Sequence, residues 1–523
     1  MAYPGKFMDI MDPTRVRFFG GGLPVLAVLL IFAGFLTVTA PYPVSAMDVD
    51  PAPIDSLFRE YDRSDAPGCA VAVYKNGATR YSGAFGIANL DYGVSLSDNS
   101  RFYMTSLAQQ ITAATAGLLI VRGDLDPDAR VSTYIKNWPD WAADVRINHL
   151  MRHTSGLPDL YDLMDIAGIS INNVMSLDDY VALIKSGEPL MFRPGSRRHI
   201  SNSGYTILAK IVEVVTGDDF AKFAKREILE PLKMTSTHFH DDRYRNIPDR
   251  VISYKPVERS HHTSEYNTSN NLPETTFRQT YPGNYQGVGP GGLYATIGDW
   301  GRWEAFRLGN SGYPAAWQER FGDDLPEDYR DELPDVIREE IPQEFRNDLP
   351  PELDEVRLLL MDRTTVQGDT VSNGIAHEHT TWHGQKRESQ SGSFHGFRAD
   401  LRRYPDHGLA TLVLCNRADA DPEAQNRSLA RILLREPLEA YLQQYAGVYH
   451  NEELQVDYEL AVEDGALILN RRLDPKGEMT EEAPGKWSAG SWDFVFLRDD
   501  VSGGVTGFVI STGRAREVKF LRK

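Results

Sequence analysis

The sequence predicts an α+β protein, an antiparallel sheet beside a helical subdomain, followed by a small C-terminal antiparallel β-barrel. Three observations carry this expectation. Apolar strand-like runs stand near both ends of residues 50–436, an Ala- and Leu-rich helical run follows the first of them, and from about Leu438 the chain changes to short alternating runs divided by glycines. With 523 residues, 41% hydrophobic and 25% charged, the chain has an ordinary globular composition and the length for more than one domain. Its net charge of −19 repels phosphate backbones, which removes nucleic acid from the expected partners.

Residues 1–46 read as an export signal. Basic Lys6, Arg15 and Arg17 precede a charge-free apolar run over 18–40, and Val44-Ser45-Ala46 offers small residues where a signal peptidase reads, so cleavage is expected before Met47. The run also has the roughly 20 residues that span a bilayer, so an uncleaved N-terminal membrane anchor is the alternative. Either way the expected location is periplasmic or extracellular.

Residues 68–74 are a buried strand, Asn76-Gly77 a tight turn and 79–84 the returning strand. Residues 106–121 carry no Gly or Pro before Gly117 and stop at Gly123, as a core helix beginning at Ser106 would. A loop-rich helical middle ends in a second helix over 205–215, closed by Gly217. Residues 388–394, 397–403 and 409–414 are short strands, with Pro405-Asp406-His407-Gly408 turning between the last two. Strands, then helices, then strands predict one antiparallel sheet completed by both ends of the domain. Cys69 and Cys415 lie in apolar strand-like runs without metal-ligand or redox spacing. Two buried thiols are expected; the oxidising compartment also allows a disulfide. No metal and no cofactor is expected.

Residues 323–355 hold an octad repeat: Leu325-Pro326, Leu333-Pro334, Ile341-Pro342 and Leu349-Pro350 recur every eight residues, with Tyr329, Ile337, Phe345 and Leu353 at a second shared offset. A Pro suits the first position of a helical turn, so each octad reads as one turn with two apolar anchors in an acidic insert. A solvated insert is the plain reading; a lid over a cleft or a dock for a basic partner is the other. Residues 438–523 alternate over 458–462, 466–469, 494–497 and 518–521, as a separate barrel or sandwich would.

Several segments between residues 55 and 418 resemble the β-lactamase and penicillin-binding-protein serine hydrolases. Phe102-Tyr103-Met104-Thr105-Ser106 resembles the approach to that family's Ser-x-x-Lys helix, and His153-Thr154-Ser155-Gly156-Leu157 its His-Thr-Ser-Gly-Leu segment. Ser201-Asn202-Ser203-Gly204-Tyr205 resembles the region of the Tyr-x-Asn loop, Gly291-Gly292-Leu293-Tyr294 a later segment, and Ser391-Gly392 with Gly396-Phe397 the strand of the third motif. The tail, with Tyr445-Ala446-Gly447-Val448-Tyr449, resembles the lipocalin-like domain appended to many of these hydrolases.

The resemblance implies a serine nucleophile activated by a lysine one helical turn later, a tyrosine that shuttles protons, and a third-motif Lys or His. Carried over by position, Ser106 is the nucleophile, Gln109 stands at the lysine, Ile200 at the tyrosine, Asn202 at the asparagine and Gln390 at the third-motif cation. Neither glutamine amide accepts a proton near neutral pH and isoleucine carries none. Ser106, Asn202, Gln390, Ser391 and Gly392 are the expected ligand-binding residues. His199 and His395 are the candidate substitute bases, since imidazole titrates in a useful range. The expected function is an exported pseudoenzyme that binds a peptide, a cell-wall fragment or an acyl compound. The alternative is a working esterase, amidase or peptidase using Ser106 with His199 or His395.

Overall fold

The computed structural model describes residues 49–257, 276–280, 287–308, 349–361, 364–365, 372–471 and 475–523. The export segment and the octads before residue 349 lie outside them. Among the described residues no helix is long and apolar enough to cross a membrane.

The chain opens with helix α1 (Pro51–Phe58), then hairpin β1 (Cys69–Lys75) and β2 (Ala78–Phe85). Strands β3 (Thr364–Thr365), β4 (Ser372–Asn373), β5 (Glu378–Trp382), β6 (Gln385–Phe394), β7 (Phe397–Tyr404) and β8 (Leu409–Cys415) come from the far end of the same region. The eight form one sheet in the order β3-β4-β5-β6-β7-β8-β1-β2, antiparallel at every pairing, so both ends of the chain segment complete it as the strand–helix–strand order predicts.

The two faces of β1 show why its run is continuously apolar. Cys69, Val71 and Val73 pack with Phe58 and Leu429 on one side, while Ala70, Ala72 and Tyr74 face the helical subdomain on the other. Cys69 and Cys415 stand directly opposite each other on β1 and β8 and are joined by a disulfide, which corrects the expectation of two thiols. Neighbouring cross-strand Cβ atoms are close enough for that bond, a proximity that no sequence spacing of 346 residues reveals.

Helix α2 (Ala108–Val121) runs through the middle of the helical layer and is buried almost all round. A 3₁₀ turn over Thr105–Leu107 precedes it, so the expected helix start at Ser106 is a tighter turn feeding an α-helix. Its small residues let neighbours approach: a Cβ at Gly117 would come within 2.9 Å of Leu359 on helix α6 (Pro351–Met361). The last octad therefore leads into a packed helix, with its anchor Leu353 buried in the core cluster that includes α2. Helices α3 (Leu160–Ile166), α4 (Asn202–Thr216) and α5 (Ile297–Leu308) complete this layer; Gly217 closes α4 in the left-handed conformation. Helix α7 (Pro422–Leu433) covers the other face of the sheet, and α8 (Arg435–Gln443) leads onward.

The last eight strands, from Gly447–Asn451 to Val518–Arg522, pair in chain order and close into an antiparallel barrel. Inward residues including Tyr449, Trp487, Phe494, Phe496, Phe508 and Phe520 fill its interior. It meets the first region where the His383 N–H donates to Glu481 (2.9 Å).

Candidate active site

Ser106 sits in a turn that the backbone has to strain to make. Thr105, β-branched, is held at φ +52°, in the left-handed region that such side chains avoid, and its hydroxyl is buried without a hydrogen-bond partner. Strain of this kind costs on the order of 1–3 kcal/mol and collects where a side chain must be aimed. Here it turns the chain from strand Phe102–Tyr103 into α2 and leaves Ser106 at the helix N-terminus.

Strand β6 presses against this turn with every second residue. Glu388, Gln390, Gly392 and Phe394 share one face by the period-2 alternation of a strand. Phe394 stacks on Tyr103 with centroids 5.1 Å apart. A Cβ at Gly392 would lie 2.0 Å from Thr105 Oγ1 and 2.8 Å from the Ser106 nitrogen, so only glycine lets β6 pass. Gln390 Nε2 donates to the Ser106 carbonyl (2.8 Å), and its Oε1 accepts from Gln110 Nε2 (2.6 Å). Gln110 Oε1 in turn accepts from Trp303 Nε1 (2.9 Å) and Arg403 Nη2 (2.7 Å), and Arg403 is bound twice by Glu304 (2.6 and 2.7 Å). Burial alone would lower the Arg403 pKa; Glu304 outweighs it and holds the guanidinium charged.

The opposite wall is organised by Asp159. Its carboxylate caps α3 by accepting from the Tyr161 N–H (2.9 Å), and accepts from both the N–H (2.8 Å) and Nδ2 (2.9 Å) of Asn202. Gln109, buried, donates to Asn202 Oδ1 at the long distance of 3.5 Å. Both ends of the Asn202 amide are thus engaged by protein. Behind it, His153 Nδ1 accepts from the Ser201 N–H (3.2 Å); burial pushes this imidazole down to about 3, so it stays neutral.

A cleft opens between the walls in two lobes, with cavity volumes of about 360 and 440 Å³. Ser106, Asn202, Ser393 and Arg398 line both. Tyr103, Tyr161, Ile171, Phe394 and His395 make the first lobe aromatic, whereas Ser391, Gly392, Asp421 and Glu423 make the second polar. His395 packs edge-on against Phe394 at 4.6 Å, and burial lowers its pKa, leaving a neutral imidazole in the lobe that Ser106 lines. Arg398 Nη1 donates to the carbonyls of His395 (2.8 Å) and Phe397 (2.9 Å).

Of the residues singled out in the sequence, the cleft lining brings together Ser106, Asn202, Ser391, Gly392 and His395. Gln109 and Gln390 are buried behind it, the latter turned to the Ser106 carbonyl and lining neither lobe. Ile200 is 51% exposed, and His199, also exposed, lines neither lobe. Asp159, Tyr161, Gln110 and Arg398 were not legible as site residues. Asp159 alone carried a signal, two residues after the Gly-Leu of the His-Thr-Ser-Gly-Leu segment and one before an apolar run, where a helix cap belongs.

Residues 54–435 match the Beta-lactamase family model, well over half of the chain. A penicillin-binding protein of Bacillus subtilis is 29% identical over 225 residues, covering 43% of this chain and 49% of that protein, so the chain spans about half the length of this curated relative. Among solved structures, an octameric penicillin-binding protein homologue from Pyrococcus abyssi superposes with a TM-score of 0.56 at 19% identity, over 91% of this chain and 100% of that one. A class C beta-lactamase gives 0.53 at 16% identity, over 74% of this chain and 96% of that one. These two share the fold. With its antiparallel sheet, helical layer and Ser106 turn, this chain belongs to the Beta-lactamase family.

Proposed function

We propose that this member of a serine hydrolase family is an exported binding protein that captures an acyl compound or peptide in the Ser106 cleft and turns it over slowly or not at all. The observation that carries the reading is Gln109. It stands one helical turn after Ser106, where the family places its base, and it is buried with its amide directed to Asn202 (3.5 Å). An amide cannot take the serine proton, and among the described residues no lysine lines either lobe. General-base assistance is worth about 10²- to 10⁴-fold, so turnover falls by at least that range while the cleft keeps its shape. Aromatic walls in one lobe suit an acyl chain or apolar side chain, and hydroxyls and carboxylates in the other suit amide and amine groups. Residues 1–46 provide export in this reading.

The test is intact-mass analysis of the chain from Met47 onward after incubation with a fluorophosphonate, beside Ser106→Ala. Absence of an adduct from folded protein is the expected result. A Ser106-dependent adduct would overturn the reading and favour a second one, in which His395 takes the Ser106 proton. The observation behind that alternative is the neutral imidazole lining the same lobe as Ser106. It predicts adduct formation that rises as His395 loses its proton and disappears in His395→Ala.

A further inference from the structure

We propose that His377, His379 and Glu388 form a binding site for a divalent transition metal, zinc in the first instance, behind the wall that carries Ser106. His379 and Glu388 are direct cross-strand partners on β5 and β6, and His377, in the bend just before β5, brings its ring to the same cluster. One donor atom from each lies within 4.8 Å of the others, and all three residues are buried. His377 Nε2 is 3.4 Å and His379 Nδ1 is 3.6 Å from the two Glu388 oxygens. Ligands bound to one tetrahedral zinc at about 2.0–2.2 Å stand roughly that far apart, and two histidines with a glutamate are a known zinc donor set.

Glu388 supplies an independent observation. A buried carboxylate is normally held by hydrogen bonds of about 2.7–3.2 Å. Its side-chain contacts are 3.4 Å to His377, 3.6 Å to His379, 3.4 Å to Arg307 and 3.7 Å to Arg403. The two histidine nitrogens stand back from the oxygens at the spacing of ligands around a shared cation, and the two guanidinium groups stand no closer. His377 is also oriented for ligation: its Nδ1 lies 2.7 Å from the Ile375 carbonyl and must donate to it, which turns the Nε2 lone pair toward Glu388. Gly374 keeps the approach open, since a Cβ there would come within 2.6 Å of His379 Nε2 and 2.8 Å of His377 Nε2.

Arg307 is the competing cation. Its Nη2 lies 3.4 Å from both His377 Nε2 and Glu388 Oε2, while Arg403 is matched by Glu304. A bound dication works against Arg307, so removing that charge should tighten binding. The metal would clip β5 to β6 two residues from Gln390, without touching the Ser106 cleft.

The experiment is metal analysis of the untagged full chain after loading with zinc and exhaustive dialysis, with cobalt absorption as a second readout. Near-stoichiometric zinc, lost in His379→Ala and Glu388→Gln and bound at least tenfold more tightly in Arg307→Met, is expected. Trace zinc in the wild-type chain, or zinc retained undiminished by both ligand variants, overturns the proposal. Should those variants fail to fold, the wild-type cobalt spectrum decides: intense tetrahedral bands support the site, and the weak spectrum of aquated cobalt overturns it. Neither readout depends on whether Ser106 reacts.

Discussion

The wall behind Ser106 and the C-terminal barrel are both buried, but they are held by different forces. The barrel interior is a ring of aromatic side chains, Trp487, Phe494, Phe496 and Phe508 among them, whose contacts are many, weak and replaceable. The wall buries Gln110, Gln390, Glu304, Glu388, Arg307 and Arg403 in one connected set of polar contacts. A cavity in the barrel stays local, whereas an unpaired charge in the wall is felt by every group bound to it.

That contrast is broken most directly by Glu304→Ala. Arg403 would lose both of its short carboxylate contacts and keep only Glu388 at 3.7 Å, a loss of about 3–5 kcal/mol, and Gln110 and Gln390 lose their anchor. In the barrel, Phe508→Ala costs a similar 3–5 kcal/mol or so through its cavity. Urea unfolding should report comparable destabilisation, while ligand binding at Ser106, measured calorimetrically well below either transition, is lost only in Glu304→Ala. Binding weakened equally by both would show that the barrel is part of the site.

Acidification should strain the first region next. Burial holds His238 and His240 down at about 4 and His153 at about 3, below their unfolded values near 6.5. Between those limits the unfolded chain binds the extra protons, so stability falls as pH drops from about 6.5, with a slope of up to ~1.4 kcal/mol per pH unit for each histidine. His153→Asn and His240→Asn should flatten the curve over this window. An unchanged slope in the double variant would remove these imidazoles from the account.

What the sequence made legible divides along the same line. Alternation, turn residues and an Ala- and Leu-rich run mark β1, β2, α2 and β6 to β8 within a few residues, because those patterns come from local geometry. The positions of Ser106, Asn202 and Gly392 along the cleft follow from motif order. The polar wall does not: Gln110 looks like any helix residue, and only its distance of 293 positions from Arg403, closed by the fold, makes it a junction. The Cys69–Cys415 bond is hidden for the same reason, and so is the meeting of His379 with Glu388. Gln390 is the instructive case. As a motif position it reads as a ligand contact, yet its neighbours turn its amide inward to the Ser106 carbonyl.

Gln390→Leu isolates that role. It removes a donor to the Ser106 carbonyl and an acceptor for Gln110, leaving two buried groups to find new partners, for a cost of about 1–3 kcal/mol. If the amide acts only through the turn, ligand affinity falls with stability and no selectivity changes across acyl chain lengths. A change of ligand preference at unchanged stability would place the side chain in the cleft instead.

The smallest effect, and the sharpest, is expected from Thr105→Gly. The threonine contributes left-handed strain and a buried hydroxyl without a partner, both of which glycine removes. Against this, glycine has more freedom to lose on folding, about 0.5–1 kcal/mol, and the Thr105 side chain no longer packs beside Gly392 on β6. The terms nearly cancel, so stability should stay within about 1 kcal/mol of the parent. Ligand binding should weaken nonetheless, because a glycine turn no longer confines Ser106 to one direction. A variant that lost several kcal/mol would mean that Thr105 packs the wall more than it strains it; one that bound as tightly as the parent would show that the aim of Ser106 is set by Gly392 and Gln390 alone.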